Sequence, residues 1–249
     1  MEIIKREKLL FNETIDLGEF GIIYQPKLKD FLNEFSYERF KRAFSIRKDL
    51  YIDEDNEDYN KIENFDLIFY LNVLEDLVIS LNMLYKADSI SIEASNEKDL
   101  RTIRIAIKSN EKTYYINREN YTRFSDMILV VLHDKENVVK EEEEISEELS
   151  EIEKKIARKR REYERKKAKK EAEQKNKEEP ITIFDLANYI IHENGTTFNY
   201  QNVLELTIYQ LINTFTLYRQ KEGYNIFMDY KTSGQFKMEE EGKHWFFNK

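Results

Sequence analysis

"SISIEASNEKDLRTIRIAIKSNEKTYYIN", residues 89–117, decides the fold. Its apolar side chains alternate with polar ones, and Ile103, Ile105 and Ile107 fall on one side. A period of two sends successive side chains to opposite faces of a strand. "SISIEA" (89–94), "TIRIAIK" (102–108) and "KTYYIN" (112–117) therefore read as strands, and the short polar links between them suit an antiparallel meander.

On both sides of this stretch the period returns to that of a helix. "FDLIFYLNVLEDLVISLNMLY" (65–85) is apolar on more than one face, which predicts one helix central to its domain. "ENYTRFSDMILVVLHD" (119–134) predicts another. Further out, "GIIYQP" (21–26) reads as a short strand stopped by Pro26. In "KLKDFLNEFSYERFKRAF" (27–44), Phe31, Phe35, Phe40 and Phe44 lie at spacings compatible with a helix face. Residues 1–136 are thus expected to form an α+β domain whose small antiparallel sheet is covered on one face by helices. The acidic run "DEDNEDYN" (53–60) imitates a calcium loop through Asp53, Asp55 and Glu57. Asp58 stands where the turn glycine belongs and Asn64 where the bidentate Glu belongs, so a solvated loop is expected and no metal.

Residues 137–179 hold most of the surplus charge. "EEEEISEELSEIE" (141–153) carries eight Glu and no base, and residues 154–177 carry thirteen Lys or Arg against four Glu. Val138, Ile145, Leu149, Ile152, Ile156 and Tyr163 fall at heptad steps interrupted by Glu142 and Lys159. Acid early and base late suit the helix dipole. The segment reads as a charged helical connector with a coiled-coil seam. Its basic part, 154–170, attracts polyanions in principle. It holds one aromatic, Tyr163, where single-strand binders interleave several, so nucleic acid is not the expected partner.

Pro180 ends the connector, and residues 180–249 are expected to form a small all-α domain. In "ITIFDLANYIIHENG" (181–195), Thr182 is the expected N-cap with Asp185 as its capping-box partner, and Asn194-Gly195 supplies the stop. In "LELTIYQLINTFTLYRQKEGYNIFMDY" (204–230), Leu204, Ile208, Leu211, Phe215 and Tyr218 step by four, three, four and three along one helix face. Leu206, Tyr209, Ile212 and Leu217 widen that face. Burying each large apolar side chain is worth about 1.5–3 kcal/mol, so the face must be covered. The cover comes from helix 181–193, from the N-terminal domain or from another chain. Trp245, with His244, Phe246 and Phe247, forms a ring cluster expected to dock as well.

Catalytic chemistry has no anchor in this sequence. There is no Cys, and His133, His192 and His244 are scattered without a ligand-pair spacing. No glycine-rich phosphate loop or nucleophile elbow occurs. The expectation is a protein that is not an enzyme and takes neither cofactor nor metal. Apolar residues make up 41%, charged residues 36%, and the formal charge is −9, a balance favouring solubility. The start lacks the apolar core of a signal peptide, and no run approaches the roughly 20 apolar residues of a membrane helix. No membrane partner is expected.

The C-terminal part resembles the ends of tail assembly chaperones of long-tailed bacteriophages from Gram-positive hosts. The resemblance rests on the Tyr209-Gln210-Leu211 core, the following turn with Phe215, Tyr218 and Arg219, the Tyr-rich segment from Tyr224 to Tyr230, Gly234, and the terminal Trp245. It implies a non-virion assembly factor, in the host cell cytoplasm, that coats the helical tape-measure protein or another tail protein and self-associates. Leu204, Ile208, Tyr209, Leu211, Phe215, Tyr218 and Trp245 would be its partner-binding residues. The large N-terminal domain and charged connector depart from that pattern. Two other readings therefore stay open: a structural virion protein of the tail or baseplate, and a nucleic-acid-associated factor using residues 154–170.

Overall fold

The structure is a computed structural model that describes residues 4–32, 35–52, 56, 59–95, 100–133, 181–193 and 197–233. The expected connector with its heptad seam, the basic segment 154–170, most of the acidic loop 53–60, and Trp245 lie outside the described residues. What is described is a mainly helical α+β fold with seven α-helices and two small antiparallel sheets.

The chain opens with α1 (Arg6–Phe11) and a hairpin of β1 (Thr14–Asp16) and β2 (Ile22–Tyr24). A single 3₁₀ turn, Leu28–Phe31, precedes α2 (Tyr37–Ser45), so the expected helix 27–44 is two pieces. Ser36 marks the break, accepting the Arg39 amide hydrogen (3.3 Å) as an N-cap. The phenylalanines still converge. Phe31, Phe40 and Phe44 are fully buried and form an edge-to-face chain at ring spacings of 5.4 Å, which Phe44 passes on to Phe124 at 6.0 Å.

Residues 65–85 are likewise not one helix. They form α3 (Asn64–Tyr70) and α4 (Leu74–Tyr85), bent from each other by 117°. Asn72 adopts φ 54°, a left-handed conformation that Asn tolerates better than most residues. The bend resolves the problem set by apolar residues on several faces. Each half turns its own face inward, Phe65 and Ile68 on α3 and Leu77, Leu81 and Leu84 on α4. No helix among the described residues is long and apolar enough to cross a membrane.

The three-stranded sheet follows as the alternation predicts. Its order is β3 (Ser89–Ala94), β4 (Ile103–Ser109), β5 (Lys112–Asn117). Ile105 lies between Ile92 and Ile116, and Ile107 between Ile90 and Tyr114. The β4–β5 hairpin turns through Asn110 and Glu111, both at positive φ, as a two-residue turn between twisted strands requires. α5 (Tyr121–Val131) then crosses the core.

Among the described residues one buried side-chain polar atom, Gln25 Oε1, has no hydrogen-bond partner; the buried carboxylates and phenols are paired. Asp76 accepts two bonds from Arg39 (2.9 and 2.6 Å), and Asp66 accepts from Arg118 (3.0 Å) and from the Glu63 amide (2.8 Å). The Tyr85 hydroxyl donates to the Phe20 carbonyl (2.6 Å), and Tyr121 donates to that of Ala43. Burial pushes both phenols well above their ordinary range.

The last two helices are α6 (Ile183–His192) and α7 (Ile208–Ser233). Their inner residues Ile183, Ala187, Ile190, Ile208 and Leu211 belong to the same buried cluster as Leu9, Phe20 and Ile128. One core thus runs from the first described helix to the last, across the expected boundary at residue 180.

Candidate functional site

The C-terminal helices begin with two capping boxes. At α6, the Thr182 hydroxyl accepts from the Asp185 amide (3.2 Å) while the Asp185 carboxylate accepts from the Thr182 amide (2.8 Å). The Thr182 amide, and next the Thr182 hydroxyl donating to the same carboxylate (2.8 Å), hold the Asp185 carboxyl below its usual range. At α7 the same device uses Thr207 and Gln210. The Gln210 amide donates to the Thr207 hydroxyl (3.2 Å), and the Thr207 amide donates to Gln210 Oε1 (2.9 Å). The helix therefore starts at Ile208 and not at Leu204. Leu204 belongs to a 3₁₀ turn, Asn202–Glu205, whose first amides are held by Asn199.

Between that turn and α7 the backbone is extended and pairs with the N-terminal part of the chain. Lys27 and Thr207 form an antiparallel bridge. The Leu28 amide donates to the Leu206 carbonyl (3.0 Å), and the Ile208 amide donates to the Pro26 carbonyl (2.9 Å). Around the bridge, Lys27 pairs with Glu13 (2.9 Å) and Glu205 (3.4 Å), and Lys29 pairs with Glu205 (2.7 Å). The hydrogen bond from Lys29 contributes most to lowering the Glu205 carboxyl, and the one from Lys27 does the same for Glu13. The Lys27 ammonium is raised, chiefly by Glu13.

The Tyr-Gln-Leu core of α7 serves this intramolecular seam. Gln210 Nε2 donates to the Leu10 carbonyl at the end of α1 (2.7 Å). Tyr209 is buried with its ring 4.7 Å from that of His133, and Leu211 is fully buried. Burial raises the Tyr209 phenol, with Arg6 opposing. One turn on, buried Asn213 accepts from the Arg6 guanidinium (2.8 Å). Ile208, Tyr209 and Leu211, expected to face a partner, are thus occupied by the chain's own N-terminal part. Spacing alone shows that such a face is covered, not by what.

Leu204, Phe215 and Tyr218 are half-buried against the edge of the core. Phe215 meets Tyr189 of α6 edge-to-face at 5.1 Å, and the Tyr189 hydroxyl donates to Glu222 (2.8 Å) two turns further along α7. Desolvation and that carboxylate push the Tyr189 phenol up to about 12. Beyond Tyr218 the helix continues but the core does not. The last 15 of its 26 residues span about 22 Å at 1.5 Å per residue, and of these Lys221 and Glu222 still pair with Glu193 (3.8 Å) and with Tyr189 of α6. Ile226 and Tyr230, four apart, are 48% and 47% exposed. The sequence holds the signal for this surface in its Tyr-rich segment, but the expected site residues passed from Tyr218 directly to Trp245, which lies outside the described residues. Among the described residues no three His, Asp or Glu side chains gather as a metal site would require.

A comparison with curated proteins, and one with solved structures, each finds no match to the chain. A protein-family model described as the YomV second domain matches residues 173–248, taking in α6, the capped turn and α7, and this match points to a phage-type, YomV-like protein.

Proposed function

We propose that this chain is a non-enzymatic assembly factor of a phage tail, a chaperone that holds the tape-measure protein in the host cytoplasm before the tube closes around it. The observation that carries the reading is the division of α7. Its first three turns are sunk in the chain's own core, and its outer four turns present Ile226 and Tyr230 at i, i+4 spacing. Such a row is how one helix is read by another. Its area is small, so each contact is weak. Repetition along a long helical partner, with several copies of the chaperone, multiplies weak sites into stable coating. The phage-type match over α6 and α7 and the resemblance to tail assembly chaperones support the same assignment.

The test pairs a capture experiment with a census of particles. Recombinant tape-measure protein should be retained by the wild-type chain and lost by an Ile226→Asp, Tyr230→Asp variant whose circular dichroism is unchanged. Quantitative mass spectrometry should then find the chain in infected lysate and not in purified particles. A folded variant that still captures the partner sinks the proposal. Retention in particles at fixed copy number establishes instead a structural tail or baseplate protein.

A further inference from the structure

The three-stranded sheet has two edges, and they are treated differently. β5 lies against the turn Gly18–Phe20, and the Tyr114 ring rests on Gly21. β3 is the terminal strand at the other side. Exposed edges are normally blunted by Lys, Pro or a bulge, because their free amides and carbonyls invite pairing. β3 has none of these. Its register with β4 is continuous over six residues, and its one charge, Glu93, is held by Arg104 at 2.7 Å. On its inner face Ile92 is 48% exposed although its neighbours in the row, Ile105 and Ile116, are fully buried.

We infer that β3 pairs antiparallel with β3 of a second copy, about a two-fold axis through Ser91, and closes a six-stranded sheet. The register decides the occupant. With the axis at Ser91, Ile92 opposes the partner's Ile90 and Ile90 opposes the partner's Ile92, so the apolar rows of the two sheets become continuous. On the outer face Glu93 opposes the partner's Ser89, beyond which lies the partner's Lys108. The carboxylate then sits between Arg104 on one side and Lys108 on the other, and no like charges meet. Moving the axis to Ile92 sets Glu93 against Ser91 and loses the lysine. Moving it to Ile90 sets Ile92 against Asp88. Only the Ser91 register satisfies both faces. The pairing does not depend on the tail-assembly reading.

The chain has no Cys, so single cysteines report the register directly. Opposed residues in an antiparallel pair have Cα atoms about 4.5–5.5 Å apart, within the span of a disulfide. Ser91→Cys in the full chain should therefore oxidise to a covalent dimer. Ser89→Cys should not, because its mate lies four residues away, about 13 Å along the strand. By sedimentation, the wild-type mass should double with rising concentration. Ile92→Lys should remove that doubling without changing circular dichroism, since Ile92 is half exposed. A wild-type monomer at every concentration overturns the inference, whether the edge stays bare or takes a foreign extended peptide. So does a Ser89→Cys variant that cross-links as readily as Ser91→Cys, or a dimer that survives Ile92→Lys.

Discussion

At the scale of the residue, three glycines separate three physical situations. Gly21 has φ +79°, and a Cβ there would lie 2.3 Å from the Tyr114 ring. Gly18 has φ +66° with open space around it, and Gly223 sits inside α7 with nothing within 4 Å. Replacing Gly18 by Ala should cost only left-handed strain, about 1–2 kcal/mol. Gly21→Ala should cost that and an overpacking penalty of about 1–3 kcal/mol, because Tyr114 is confined by Tyr85 at 5.9 Å. Gly223→Ala should stabilise α7 by up to about 1 kcal/mol, since it removes helix-interior backbone freedom and meets no neighbour. Urea unfolding of the three variants checks the order. If Gly21→Ala is no worse than Gly18→Ala, Tyr114 is not held against that glycine.

At the scale of the element, Gln210 joins the start of α7 to the end of α1. Gln210→Ala removes the Thr207 amide's acceptor and the Leu10 carbonyl's donor together, and should cost about 1–3 kcal/mol. Thr207→Ala removes only one cap bond and should cost about 1 kcal/mol. Equal losses on chemical denaturation would mean that the Leu10 bond contributes nothing. The same elements show what a sequence discloses. The Thr182–Asp185 box and the strands at Ile103, Ile105 and Ile107 were legible, because capping and period-two alternation are local. The Thr207–Gln210 box is equally local, but the apolar step from Leu204 to Ile208 masked it by fitting the helix face. The bend at Asn72 was not legible, since neither Pro nor Gly marks residues 71–73 and only packing on both sides demands it. β1, three residues long, is too short to show a period. As for the candidate site, burial of Ile208 and Leu211 could be read from spacing. The ties of Ile208 to Pro26, Gln210 to Leu10 and Asn213 to Arg6 depend on contacts across some 200 positions, which no local pattern encodes.

At the scale of the molecule, the shared core should make the N- and C-terminal parts unfold as one cooperative unit, and the ion pairs around the Lys27–Thr207 bridge should tune it with pH. Glu205 and Glu13 titrate below the ordinary 4.5 in the folded chain, so the folded state binds fewer protons than the unfolded one in acid. Their contribution is present above that ordinary value and is lost as pH falls through the lowered ones. Lys27 is shifted above 10.5, so its contribution is present below 10.5 and is lost as pH rises through the raised value. The seam is therefore strongest from about pH 5 to about pH 10. Both carboxylates are exposed to solvent, so salt should screen the effect. Glu205→Gln should lower stability at pH 7, and the gap to wild type should narrow as pH falls below the ordinary 4.5 and shrink in molar salt. Fluorescence of engineered probes in α2 and in α7 should lose signal at one common denaturant midpoint under each condition, because Ile183, Ile190 and Leu211 share a core with Phe20 and Ile128. A gap that persists unchanged as pH falls below 4.5 would show that Glu205 acts through packing and not charge. Two separate midpoints would show that the C-terminal helices hold together without the N-terminal part, and that the seam is a contact between two folding units instead of the middle of one.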